Sequence, residues 1–315
     1  MTRYLVRSVL GAVPTLLILI FAVSLLVRLI PGSAVDVLLT ESGAKASDRK
    51  DLERQLGLDR SLAHQYVVYL RDVASGTLGR SLFDQRPVIA IVKARALPTI
   101  ELAVLSLTIS SALGVLIGVI SAARRNTRLD YSLRLFVNLF LGVPNFVLAT
   151  VIVLLPAYYW GWSPPLSYVR LVDNPGTNLV FFIAPSVTLG VALSATMARI
   201  TRTQTLEVIN QDYIRTAHAK GLTEITVLRR HALRNALLPV LTLFGIQVAV
   251  VLSGTVVIEQ VFSIPGLGTL LLQKIRERDY PVVQGITLLS GLIVVALNLL
   301  LDLCYTALDP RVRVG

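Results

Sequence analysis

Six long stretches without a single charged residue dictate what this chain can become: residues 9–27, 102–123, 135–158, 179–198, 236–258 and 282–301. Crossing about 30 Å of hydrocarbon takes about 20 helical residues at about 1.5 Å each, so every stretch is long enough to span a bilayer. Lipid offers no partner to a bare backbone N–H or C=O, so a segment crossing it alone has to be a helix. The sequence therefore predicts an all-α membrane protein with six transmembrane helices.

Composition supports this. Hydrophobic residues make up 54% of the 315 positions and charged residues only 16%, too apolar a balance for an ordinary soluble protein. The formal net charge of +11 would point a soluble chain toward nucleic acid. Here the basic residues flank the apolar runs, where membrane topology places them, so nucleic acid is not an expected partner. Cys304 is the sole cysteine, which rules out an intrachain disulfide and argues against a thiolate metal site. His64, His218 and His231 fall in separate parts of the chain, and neither a metal nor a catalytic constellation is expected.

Short loops set the orientation. Arg124, Arg125 and Arg128 lie in one, and Arg199, Arg202, Arg215, Lys220, Arg229, Arg230 and Arg234 lie in another, so both loops and both termini are expected in the cytoplasm. The first run begins after Arg3 and Arg7 and ends at Arg28 with no small-x-small cleavage site, which reads as an uncleaved helix. The expected division is residues 1–30 as the N-terminus and first span, and 31–97 as an extracytoplasmic helical insertion between the first and second spans. A five-helix core over 98–304 contains the cytoplasmic loop 199–239, and 305–315 form a cytoplasmic tail. Within the insertion, residues 48–57 offer an N-cap, helically spaced charges and a closing glycine, and residues 62–73 offer a second helix. Trp160, Trp162 and Tyr168 suit the lipid headgroup level. Gly114 and Gly118, one turn apart, would let another helix approach closely, and Pro144, Pro156 and Pro185 mark kinks or span ends.

The polar loop after the fourth run carries the functional signal. Asp212-Tyr-Ile-Arg-Thr-Ala-His-Ala-Lys-Gly221 reads as a short helix with small residues at Ala217 and Ala219, stopped by a glycine; a second basic helix over 223–235 leads back to the membrane. Small side chains would let such a helix seat deeply in a partner's groove, with Asp212, Arg215 and Lys220 fixing its register. A plainer reading holds the same loop at anionic headgroups through Arg229, Arg230 and Arg234.

The order of these residues resembles a known family. Arg215-Thr-Ala-His-Ala-Lys-Gly221, then Leu222 and Arg230-His-Ala-Leu-Arg-Asn-Ala-Leu-Leu-Pro239, is similar to the signature loop of inner-membrane permeases of ATP-binding cassette importers, closest to the first permease of the dipeptide, oligopeptide and nickel branch. Arg28-Leu-Ile-Pro-Gly32, Gly76-Thr-Leu-Gly-Arg-Ser81, Leu97-Pro-Thr-Ile-Glu-Leu102, Val261-Phe-Ser-Ile-Pro-Gly-Leu-Gly268 and Asp279-Tyr-Pro281 extend the likeness along nearly the whole chain. The general loop pattern opens with Glu-Ala-Ala where this chain has Arg215-Thr-Ala217, so no role passes to an opening acidic residue.

The resemblance implies a type I importer permease of the bacterial or archaeal plasma membrane. Its loop helix would insert into a cleft on an ATPase subunit, a role that falls here on Asp212, Tyr213, Arg215, Thr216, Ala217, Lys220 and Gly221. It also implies a second homologous permease, two ATPase subunits, an extracytoplasmic solute-binding protein and surrounding lipid as partners. The chain has no Gly-x4-Gly-Lys-Ser/Thr phosphate cradle. ATP and Mg would belong to the partners, and this chain would be neither an enzyme nor a cofactor carrier. Glu101, Glu259 and Gln260, at outer span ends, are candidates for the translocation path or binding-protein contact. Di- or oligopeptides are the expected cargo, with nickel, haem or glutathione as alternatives. A proton-driven secondary transporter would need paired acids or a histidine relay inside spans that are almost empty of charge.

Overall fold

The computed structural model describes residues 2–29, 35–37, 39, 49–55, 59–165 and 167–308. Twelve α-helices and one π-helical turn make up the named elements, and no strand occurs among the described residues. The helices are α1 Thr2–Leu29, α2 Arg49–Gln55, α3 Leu62–Ala74, α4 Val88–Ala123, α5 Arg128–Gly142, α6 Asn145–Trp160 and α7 Pro175–Ile209. They continue as α8 Asp212–Ala219, α9 Glu224–Val227, the π turn Leu228–Ala232, α10 Leu233–Val261, α11 Leu267–Glu277 and α12 Tyr280–Leu308.

Four helices are long and apolar enough to cross a membrane, and α5 with α6 adds a fifth if that bent pair counts as one span. The remaining expected span, in α1, falls short of that length among the described residues, where its apolar stretch is Val13–Leu25.

The third span differs from the expected single helix. It is broken into α5 and α6, which meet at 100°. Pro144 lacks an N–H and its ring forces Val143 out of the helical region, to φ −91° and ψ 122°, so the first helix must end there. Pro156, Pro185 and Pro239 sit inside their helices. The second span extends 14 residues further upstream than the uncharged run, because Glu101, Arg95 and Lys93 interrupt apolarity but not helix formation. The basic helix expected over 223–235 does not stand alone. It is α9, then the π turn, then α10 with no break. Helix α11 had no counterpart among the expected elements, since its eleven residues are too short and too polar to register as a span. Residues 48 and 56–58 of the expected insertion helix, and 309–315 of the tail, lie outside the described residues, as do the side chains of Asp302 and Cys304.

Contacts divide the chain into two compact units. Unit 1 comprises Met1–Thr99 and Pro265–Leu299, and its core gathers Ile20, Tyr69, Val88, Val92, Leu270, Val282 and Ile286 from five helices. Unit 2 comprises Ile100–Ile264 and Leu300–Gly315. Its framework is the close approach of α4 and α7, made possible by glycines on both helices. A Cβ on Gly118 would lie 2.6 Å from Thr201 Cβ and 2.7 Å from the Ala198 carbonyl oxygen; one on Gly190 would lie 2.7 Å from Ile109 Cβ and 2.9 Å from the Ser106 oxygen. Within lipid, where no hydrophobic force drives helices together, such backbone proximity supplies the dispersion contacts that do. Gly114, opposite Met197, continues the same seam.

Candidate functional site

Asn174 accepts a hydrogen bond from the Thr177 amide at 3.1 Å and caps α7, whose first residue is Pro175. The helix then runs unbroken to Ile209 and delivers the chain into a tight elbow. Gln211 is extended (ψ 149°), α8 occupies Asp212–Ala219, and Gly221 takes a left-handed φ of +77°. The Gly221 amide donates to the His218 oxygen at 2.9 Å and the Leu222 amide to the Ala217 oxygen at 3.4 Å. Those paired bonds form a Schellman closure, and its left-handed residue is the reason glycine stands at 221.

One face of α8 packs on the base of its own elbow. Ile214 and Ala217 are buried with Val227 and Ala232, supported by Val208, Ile209 and Leu228. Ala217, expected as a small residue on a helix that seats in a partner's groove, is buried against this base, where its small side chain lets α8 lie close. Asp212, Tyr213, Arg215, Thr216 and Lys220 are exposed, as is Ala219. Arg215 pairs with Asp212 at 3.6 Å, and the Thr216 hydroxyl donates to the Asp212 oxygen at 3.1 Å. Both lie in solvent, where such a pair contributes little to stability. The Tyr213 hydroxyl accepts a 2.8 Å hydrogen bond from Asn235 Nδ2, which fastens α8 to the first turns of α10. Asn235 was not among the expected residues; its role depends on the π turn, whose extra residue rotates the helix that follows.

A second polar node was also unforeseen. Asp130, in the first turn of α5, is completely buried. Arg202 of α7 grips it with both ends of its guanidinium, Nε and NH2 each at 3.0 Å, while Ser121 of α4 and the Asn126 amide supply two further donors. Arg134 Nε stands 3.5 Å away. Three helices therefore converge on one carboxylate. The sequence held a partial signal, since Thr127 and Asp130 form a capping-box pattern, and the Asp130 amide does donate to Thr127 Oγ1 at 3.4 Å. Nothing in that pattern foretells a bidentate arginine 72 residues away.

Of the three residues expected on the translocation path, Glu101 accepts a 3.0 Å hydrogen bond from Asn178 Nδ2, and Asn178 also donates to the Val169 oxygen at 2.8 Å. Glu259 is fully buried near the end of α10, and Gln260 is exposed beside it. Deeper in unit 2, Ser110 donates to Gln247 Oε1 at 3.0 Å and Gln247 Nε2 donates to the Leu193 oxygen at 2.9 Å, linking α4, α10 and α7.

Unit 1 joins two stretches that sequence separates by 198 positions: the Ser81 hydroxyl donates to Asp279 Oδ2, and the Leu82 amide to Oδ1 at 3.0 Å. Lys274 sits among Glu277 at 2.8 Å, Asp84 at 3.1 Å and Asp279 at 3.4 Å. Burial alone would lower the Lys274 ammonium, but its bonds to Glu277 and Asp84 and the charge of Asp279 hold it above the ordinary lysine range. Lys274→Met should therefore leave Asp279 as a buried, uncompensated carboxylate and cost about 3 kcal/mol at pH 7.5. Burial already holds the Asp279 carboxyl above its ordinary range against the pull of Ser81, Leu82 and Lys274, and loss of the lysine would raise it further, so stability should recover as pH falls toward 5.5, where the folded state takes up a proton that the unfolded chain does not. Thermal midpoints of wild type and variant at the two pH values check this; a pH-independent deficit would contradict it.

Among the described residues no group of three His, Cys, Asp or Glu could hold a metal ion. The arrangement suits mechanical work: a closed, charged elbow on a long helix, and a polar clamp where that helix meets its neighbours.

Residues 114–314 match the family described as binding-protein-dependent transport system inner membrane component, and residues 1–103 match the N-terminal part of such membrane components. A putative peptide transport system permease protein of Brucella abortus (strain 2308) is 40% identical over 313 residues, covering 99% of both chains. A glutathione transport system permease protein of Pectobacterium atrosepticum is 38% identical over the same length and coverage. Among solved structures, a methionine ABC transporter in inward-facing conformations shares the fold with a TM-score of 0.59 at 19% identity, over 71% of this chain and 98% of that one. The match in sequence and in fold places this chain in the family of binding-protein-dependent inner-membrane transport components, the permeases of ATP-binding cassette importers.

Proposed function

We propose that this permease forms the membrane path for small peptides and is driven through its α7–α8 elbow by separate ATPase subunits. The observation that carries the reading is the elbow itself. It is stabilised from within by Ile214 and Ala217, closed at Gly221, fastened by Tyr213 to Asn235, and leaves Asp212, Arg215 and Lys220 outward for a partner. Peptide cargo is supported by the Brucella abortus relative, a putative peptide transport system permease protein. Glutathione is the second reading, supported by the Pectobacterium atrosepticum relative, and it is itself a small peptide.

In this scheme the elbow and both termini face the cytoplasm, where ATP and Mg are bound by the motor subunits. A second permease completes the path, and a solute-binding protein delivers cargo on the opposite side. The bundle then alternates between inward-open and outward-open states, with nucleotide state biasing the equilibrium through differential grip on α8.

Gly221→Leu tests the coupling. A left-handed leucine costs about 1 kcal/mol or more and opens the Schellman closure, so α8 loses its defined presentation. In liposomes holding the complete importer, uptake of a labelled dipeptide should fall at least about tenfold, a loss equal to about 1.4 kcal/mol of coupling. ATP hydrolysis should at the same time lose its response to loaded binding protein. Full uptake by the variant would refute the elbow's role. Competition among dipeptide, tetrapeptide and glutathione in the wild-type vesicles separates the two cargo readings.

A further inference from the structure

Where α4, α5 and α7 converge in unit 2, a cleft of about 160 Å³ opens beside the Asp130 node. Its lining combines the guanidiniums of Arg134, Arg199 and Arg202 and the amide of Asn138 with the apolar side chains of Ile117 and Val137. The charge there is unbalanced. Asp130, the carboxylate that Arg202 and Arg134 meet, already accepts from Ser121, the Asn126 amide and both ends of Arg202. Arg202 is thereby satisfied, whereas Arg134 reaches the same carboxylate only at 3.5 Å and Arg199 does not reach it.

Arg134 is held with its Cζ 4.5 Å over the Tyr131 ring, and its Nε is buried without a hydrogen-bond acceptor. The Arg199 side chain is exposed and makes no hydrogen bond or ion pair among the described residues. Arg124, Arg125 and Arg128, in and just after the turn between α4 and α5, add further positive potential. Three guanidiniums at one opening share a single carboxylate, which leaves room for a further anion with more than one acceptor oxygen, the geometry that arginine forks fit.

The apolar share of the lining decides which anion. A soluble phosphate would press its outer oxygens against Ile117 and Val137 and leave them unsatisfied. A phosphodiester with hydrocarbon on one side satisfies both halves of the cleft. The adjoining surface of α5 continues the apolar half outward through Leu135, Phe136 and Leu139, all exposed. Basic pockets between transmembrane helices bind acidic headgroups on this principle.

We propose that this cleft holds the phosphodiester of an anionic phospholipid, with Arg134 and Arg199 as its ligands and the acyl chains lying along α5. The site is independent of cargo and of the elbow.

The complete importer in phosphatidylcholine nanodiscs carrying a trace of photoactivatable phosphatidylglycerol provides the test. Crosslinks mapped by mass spectrometry should concentrate on residues 129–139 and 199–203. Arg134→Gln combined with Arg199→Gln should reduce that labelling about tenfold or more, since each arginine near the surface adds to the attraction for an acidic headgroup. Arg199→Glu alone, which disturbs no bond in the fold, should reduce it similarly and guards against misfolding of the double variant. Equal labelling by a photoactivatable phosphatidylcholine, or labelling unaffected by either variant, would overturn the proposal. Displacement of the lipid by millimolar inorganic phosphate or glycerol 3-phosphate would overturn the lipid as the source and assign the cleft to a soluble anion.

Discussion

Asp130→Ala is expected to lower the stability of the folded chain by about 3 to 5 kcal/mol, the range for removing one partner of a buried ion pair. The cause is the number of groups left stranded. Arg202 loses both acceptors of its bidentate bond, and Ser121 and the Asn126 amide lose theirs. Unfolding midpoints in detergent check the magnitude. Asp130→Asn should lose less, because the amide keeps one acceptor oxygen for Arg202. A double-mutant cycle with Arg202→Met isolates the pair: near-additive losses would show that the bidentate bond contributes nothing beyond its separate members. An unchanged midpoint in Asp130→Ala would remove the node from any account of what holds α4, α5 and α7 together.

The second large effect is expected at the glycine seam. Gly118→Val should prevent the chain from accumulating in membranes, because its Cβ would fall 2.7 Å from the Ala198 carbonyl oxygen, a backbone atom that cannot rotate aside. Overpacking of this sort costs about 1–3 kcal/mol where side chains can yield, and more where they cannot. Gly254 offers the control, since nothing lies within 4 Å of a Cβ built there and Gly254→Ala should be silent. Quantifying the chain in the membrane fraction separates the cases. Comparable levels of Gly118→Val and Gly254→Ala would mean that α4 and α7 do not need their close approach.

What the sequence disclosed, and what it withheld, follows from the kind of signal each feature leaves. Long uncharged runs report burial in lipid, so most of the long helices were visible at once, and the elbow was visible because polar residues interrupt that pattern. Helix ends were less visible. The run at 102–123 underestimates α4, because charge marks where lipid ends and helical hydrogen bonding continues past it. The 100° break at Pro144 was legible as a proline but not as an angle, which packing sets. Least visible were the polar clamps. Asp130 and Arg202, Glu101 and Asn178, and Ser81 and Asp279 are ordinary residues until the fold brings them within 3 Å or so of each other, across 72, 77 and 198 positions respectively. Ala217 shows the remaining limit: its size was evident, but the direction it faces depends on how α8 rests on Val227 and Ala232.

The reach of α7 has a mechanical consequence. The seam keeps α7 against α4 from Gly190 to Thr201 and Arg202 clamps it to Asp130, so only Thr203 to Ile209, about 10 Å of helix at about 1.5 Å per residue, projects beyond the packed spans, with no proline in it. A stub that short serves as a stiff handle: a push on it turns the helix together with its packed neighbours and is not spent in bending the rod.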